Sequence, residues 1–179
     1  MENQPKLLKK SIMLNYGLYL GITSILISVI IYALGMHYDQ DWKIGTISIV
    51  VMAIIIFLGI KKFKELNNDL LSLGQALKTG IGIALIGGII SVVYSLIFMN
   101  FIEPDFMANT MVKAEQEMID KFPDLSDEQI ESQIEMMKNF SSPTITSAFA
   151  LIASIFLGFV ISLIVGFILK KSDEEITSI

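Results

Sequence analysis

Apolar and polar positions alternate along this chain in blocks. Residues 11–38 contain no formally charged side chain, and residues 44–60, 79–102 and 144–169 form three more apolar runs. A helix crosses the hydrocarbon core of a bilayer in about 20 residues. The pattern therefore predicts four membrane-spanning helices over about 12–36, 44–60, 79–102 and 144–169. The first follows a basic start, Lys6, Lys9 and Lys10, as a secretory signal would, but the apolar core of such signals runs only about 7–15 residues. It is therefore read as a retained span. The second is short and places Trp42 and Lys43 at the interface. All four prolines lie outside the spans, which predicts uninterrupted helices instead of the broken ones found at many transporter sites.

The long polar interval, 103–142, predicts two short helices. Met107, Met111, Ala114, Met118 and Phe122 recur at helical spacing after Phe106. Pro123 and Asp124 break the pattern. Ser126 with Gln129 then forms a capping box, with Leu125 placed to staple onto Ile130. Ile130, Ile134 and Met137 continue as a second apolar stripe. Two stripes of this kind pack most simply as a helical hairpin. The same positions, Met107, Met111, Met118, Ile130, Ile134 and Met137, are the candidate partner surface. In the interval 61–78, Phe63, Leu66, Leu70, Leu71, Leu73 and Leu77 share a face beside Lys61, Lys62, Lys64 and Lys78. This predicts a helix lying on the membrane surface or docking a protein, interrupted or capped by Asn67, Asn68 and Asp69.

Small residues recur on the spans at helix-packing intervals. They are Gly17, Gly21, Ser24 and Ser28 on the first; Gly80, Ala84, Gly88, Ser91 and Ser95 on the third; and Ala150, Ser154, Gly158, Ser162 and Gly166 on the fourth, which enters through Ser142 and Pro143. Small side chains let helix backbones approach in lipid. Contact within one bundle is the first expectation for these stripes, and a homo-oligomer through the last is the second.

Composition agrees with a membrane chain: 53% of the 179 residues are hydrophobic, and the mean hydropathy is +0.65. The length suits one membrane domain, 1–179. The net charge of −5 is unevenly spread, since ten acids lie between Glu103 and Lys138. Every basic residue is lysine, which with abundant Ile points to an AT-rich bacterial genome. Nine lysines fall in the amino tail, the 61–78 interval and the carboxyl tail, and four in the two opposite intervals. The positive-inside rule then sets both termini in the cytoplasm and 103–142 outside.

Candidate chemistry is sparse. There is no cysteine and no charge inside any span, where charges are kept for function. Tyr19, Thr23 and Tyr94 could line a path for a neutral solute, although polar side chains in spans ordinarily bond to helix backbone or across helices. His37, the sole histidine, with Asp39 and Asp41 could take a cation or respond to pH. No further His or Cys completes a transition-metal site, the acids lack calcium-loop spacing, and glycine-rich phosphate cradles and serine-nucleophile motifs are missing. The expectation is no enzyme, no metal, no cofactor and no nucleic acid.

Asn15-Tyr16-Gly17 in the first span, the stretch Leu73-Gly74-Gln75-Ala76-Leu77-Lys78-Thr79-Gly80 leading into the third helix, and the Ile102-Glu103-Pro104 exit resemble an uncharacterised family of small four-helix integral membrane proteins common in Bacteroidetes. The resemblance covers nearly the whole chain and implies an inner-membrane protein of unknown function, with no functional residues to carry over. Tetraspanins share the large interval between spans three and four, but the absence of cysteine removes their loop signature. The expected fold is all-α: a four-helix transmembrane bundle with an acidic extracytoplasmic helical hairpin between helices 3 and 4. The expected role is a non-enzymatic scaffold or accessory subunit, in the lipid bilayer, for a membrane or envelope protein partner. The alternative is a small oligomeric transporter or channel for a small solute or ion.

Overall fold

A computed structural model describes residues 4–38 and 42–171. Asp39, Asp41 and the acidic tail after Lys171 lie outside the described residues. The chain is all-helical: α1 (Gln4–Ala33), α2 (Trp42–Leu66), α3 (Leu73–Ile97), α4 (Phe106–Lys121), α5 (Asp127–Phe140) and α6 (Pro143–Leu169). No strand occurs among the described residues; Leu71 and Lys171 form one isolated antiparallel bridge. α1, α2, α6 and α3 with its extension are long and apolar enough to cross a membrane, and they carry a belt of exposed Leu, Ile, Val and Phe. Such a belt would associate in water and is solvated in lipid.

Helix ends follow local chemistry. α1 stops at Ala33, short of the expected 36, because Gly35 takes φ +69°. Met36 N–H reaches Ile31 C=O and Gly35 N–H reaches Tyr32 C=O, the paired bonds of a Schellman ending. α2 continues past Ile60 to Leu66 instead of yielding to a surface helix. Phe63 is 1% exposed and Leu71 0%, so these two residues of the leucine-rich face belong to the core, whereas Leu66 is 48% exposed. Asn68 and Asp69 adopt left-handed turns that end α2, a conformation these two residue types tolerate better than most. The cap of α3 is Ser72, whose hydroxyl accepts from Gln75 N–H while Gln75 Oε1 accepts from Ser72 N–H. Ser126 with Gln129 does the same for α5, and Ser142 with Pro143 opens α6. α3 extends as a π-helical turn, Phe98–Ile102, closed by Glu103 N–H to Phe98 C=O at 2.8 Å. Pro104 disfavours helical backbone at the residue before it, and Glu103 leaves the helix there.

α3 is central, with its most extensive contacts to α6 and α1. Along α6 the pairing is antiparallel and small against small. A Cβ added at Gly80 would overlap Ser162, and one at Gly158 would overlap Ala84; one at Gly88 would stand 3.0 Å from Ser154. Gly166 faces Leu73 and Ala76. Along α1 the pairing is parallel, with Gly17 against Ile86 and Gly21 against Ile90. Ile56, Ile60, Phe63, Leu71 and Ile83 are fully buried and gather toward the end formed by the α2–α3 turn. The buried residues of α2 start only at Met52. α4 and α5 meet through Ala114, Ile130 and Ile134, with Met118, Leu125 and Met137 alongside.

The α3–α6 contact is tested by Gly158→Leu, which forces a branched side chain into Ala84. It is expected to lower stability by about 1–3 kcal/mol, the usual cost of overpacking. Gly74→Ala, where an added Cβ meets nothing within 4 Å, is expected to leave stability unchanged or raise it by up to about 1 kcal/mol. Thermal unfolding of both variants in detergent checks the contrast.

Candidate functional site

Where the long helices are close, small residues bring backbones into contact; where they separate, the same residue types leave space. Toward the end occupied by α4 and α5, that space is a partly open cavity of about 560 Å³, within the usual range of roughly 300–1,000 Å³ for small-molecule sites. α1 contributes Leu20, Ser24, Ser28 and Tyr32 to its wall. α2 adds Ser48 and Met52; α3 adds Gly88, Ser91 and Tyr94; α6 adds Ser147, Ala150 and Ser154. His37 and Phe106 border it beyond the helix ends. The lining is mostly apolar with scattered hydroxyls, and it contains no Lys, Asp or Glu.

The end of the cavity is held by a polar knot. α1 and α3 run in parallel, so the segments after their last turns, with His37 and Glu103, emerge together. His37 Nε2 lies 3.1 Å from Glu103 Oε2 and 3.3 Å from Oε1. The Tyr38 hydroxyl donates to Glu103 Oε1 and accepts from Asn109 Nδ2 at 2.9 Å, which links in α4. Ring contacts enclose the pair: His37 lies 4.1 Å from Tyr38, 4.9 Å from Tyr32 and 6.3 Å from Phe106, centroid to centroid. His37 and Glu103 side chains are only 16% and 17% exposed. Donation to the carboxylate, then desolvation, raises the Tyr38 pKa above the ordinary tyrosine value.

The residues singled out from the sequence divide between contact and cavity. Gly17, Gly21, Gly80, Ala84, Gly158, Ser162 and Gly166 lie in helix contacts. Ser24, Ser28 and Ala150 border the cavity, and Gly88 and Ser154 serve both. Ser154 Oγ also donates to Ala84 C=O at 3.3 Å. Tyr94 borders the cavity, whereas Tyr19 is 58% exposed and stacks edge-on with Tyr16. Ile130 and Ile134 are buried in the α4–α5 contact; Met107 and Met111 border a shallow groove between those helices. Glu103 is the partner of His37 that local reading missed. The available signal was its place, an acid leaving α3 at the end where α1 also finishes. No group of three or more His, Cys, Asp or Glu able to hold a metal occurs among the described residues.

A family model described as a protein of unknown function, DUF4199, matches residues 15–171. No curated protein and no solved structure matches the chain.

Because the Tyr38 pKa is raised, stabilisation from its contact with Glu103 is complete below the unfolded-state value of about 10 and is lost as pH rises through the folded-state value. Glu103→Gln removes the largest cause of the shift and is expected to bring Tyr38 ionisation back toward 10. Tyrosinate absorbance, differenced against Tyr38→Phe in each background, reads this directly; an unmoved titration would remove Glu103 as the cause.

Proposed function

Since the chain belongs to this family of proteins of unknown function, the cavity is its main lead, and we propose that it is a non-enzymatic membrane protein that takes a small neutral guest between its helices. Of the two expected roles, scaffold and solute handling, the cavity favours the second. The observation that carries this reading is about 560 Å³ of partly open space walled mainly by the four helices long and apolar enough to cross a membrane. Hydroxyls of Ser24, Ser28, Ser48 and Ser91 on an apolar lining suit a guest with little or no charge. The four helices form one bundle in a bacterial inner membrane. Nine of thirteen lysines support cytoplasmic termini and an outer position for the acidic hairpin 103–142.

The scaffold role keeps one specific support. Val112, Ile119, Phe122, Met136 and Phe140 remain between 52% and 62% exposed on α4, α5 and the turn between them. Apolar residues uncovered on an acidic helix pair suit a membrane or envelope protein partner.

Ser91→Trp fills the cavity. Native mass spectrometry of protein extracted from its membranes is expected to show bound guest on the wild type and none on this variant, with both showing the same cooperative unfolding. A wild type without guest, or equal loading of both, removes the reading. Orientation is checked separately with a membrane-impermeant thiol label on intact cells. Ser132→Cys is expected to react and Lys62→Cys only after lysis; the reverse would invert the topology.

A further inference from the structure

Two polar atoms on the cavity wall have no hydrogen-bond partner among the described residues: His37 Nδ1 and Ser147 Oγ. Both lie at the end of the cavity where α1 finishes and α6 begins. Ser147 is 5% exposed. Its hydroxyl could bond back to its own helix, as Ser162 does to Gly158 C=O, yet it does not. A buried polar atom left unpaired costs as much as a lost hydrogen bond or more, so a pair of them on one cavity points to a missing group.

The tautomer of His37 identifies that group. Its Nε2 faces the Glu103 carboxylate, whose two oxygens accept only. In the neutral ring the proton therefore sits on Nε2, and Nδ1 is left as an acceptor that needs a donor. An ionised carboxylate or phosphate head would carry no donor and would lie near Glu103, with no lysine on the lining to balance it. An ammonium head would find no acidic side chain on the lining to balance its charge, because Glu103, although its buried Oε2 also has no hydrogen-bond partner among the described residues, does not border the cavity. A hydroxyl meets both needs, donating to His37 Nδ1 and accepting from Ser147 Oγ. The rest of the wall is mostly apolar with scattered hydroxyls and is formed largely by helices apolar enough to cross a membrane, where a hydrocarbon body is the natural occupant.

Resting on the reading of this cavity as a guest site, we propose that its occupant is a neutral lipid alcohol: one hydroxyl at His37 and Ser147, with an apolar body running between the helices toward Leu20 and Met52. The test is photolabelling of the full chain in lipid nanodiscs with a diazirine-bearing long-chain alcohol and with its methyl ether, which keeps the body and loses the donor. Sites are read by peptide mass spectrometry.

The alcohol is expected to label peptides lining the cavity about tenfold more than the ether, the ratio that one well-made hydrogen bond supports. Ser147→Ala should reduce that ratio a few-fold, and His37→Phe should abolish it. Because His37→Phe strands Glu103 and could fail to fold, the wild-type comparison and Ser147→Ala suffice without it. Equal cavity labelling by alcohol and ether would overturn the hydroxyl assignment while leaving a guest site in place; a water molecule satisfying the two atoms would give that result. Labelling confined to the lipid-facing belt by both probes would overturn the assignment and the guest site together.

Discussion

The approach of α3 to α6 is the constraint on which the remaining structure depends. Lipid supplies no hydrophobic force to bring two apolar helices together, so they associate only where backbones come close enough for dispersion contacts. Gly80 against Ser162 and Gly158 against Ala84 provide that closeness by offering no side chain where the partner offers a small one. The pairing is antiparallel at four-residue steps, which fixes rotation and register at once. α3 is then committed on one face to α6, and its opposite side receives Gly17 and Gly21 of α1 against Ile86 and Ile90. α2 is left to fill the end beside the α2–α3 turn with Ile56, Ile60 and Phe63. Its first half reaches nothing comparably tight, and the cavity is the consequence.

A second, polar constraint governs the opposite end. Segments beyond the spans have no helix ladder to hold them, and their chemistry must do it. His37, Tyr38, Glu103 and Asn109 bring together the segment after α1, the exit of α3 and the first turns of α4. The π-helical turn contributes by shifting phase: Phe98 and Met99 are buried while Phe101 is 81% exposed. An extra residue per turn rotates the chain beyond it relative to the helix before it, which is one reason such turns accompany functional sites. Buried polar clusters are costly unless satisfied. Here Glu103 Oε1 takes the hydrogen bonds from His37 and Tyr38, while Glu103 Oε2 and His37 Nδ1 have no hydrogen-bond partner among the described residues, and of the two residues only His37 borders the cavity.

Much of this architecture was legible in the sequence because its causes are local. Helix length and apolarity are counted within a segment, and the Ser126–Gln129 and Ser142–Pro143 starts are written in neighbouring residues. The end of α1 is equally local but masked: Gly35 marks it, while the uncharged run continues to Tyr38 and hides the signal. The 61–78 interval shows a different limit. Its leucines share a face whether they rest on lipid or enter a core, and only tertiary contact distinguishes the two for Phe63 and Leu71. The His37–Glu103 pair is separated by two spans, and no period or motif connects it. A cavity is less legible still, being defined by what neighbouring helices fail to fill.

Serine on α6 shows how one residue type comes to serve both purposes. Ser162 lies where α3 touches, fully buried against Gly80, and its hydroxyl turns back to Gly158 C=O. Ser154, two turns nearer the cavity, reaches across to Ala84 C=O because the helices still stand within hydrogen-bond distance. Ser147, two turns further, has neither partner. The three side chains differ in nothing but position along one helix, so the change from self-satisfied to bridging to unpaired tracks the divergence of α6 from its neighbours. A stripe of small residues in lipid therefore carries two instructions, contact where helices meet and accessible hydroxyls where they part. Which instruction applies is decided by how closely the neighbouring helices stand: Ile56, Ile60 and Phe63 fill the bundle at one end, and the cavity opens at the other.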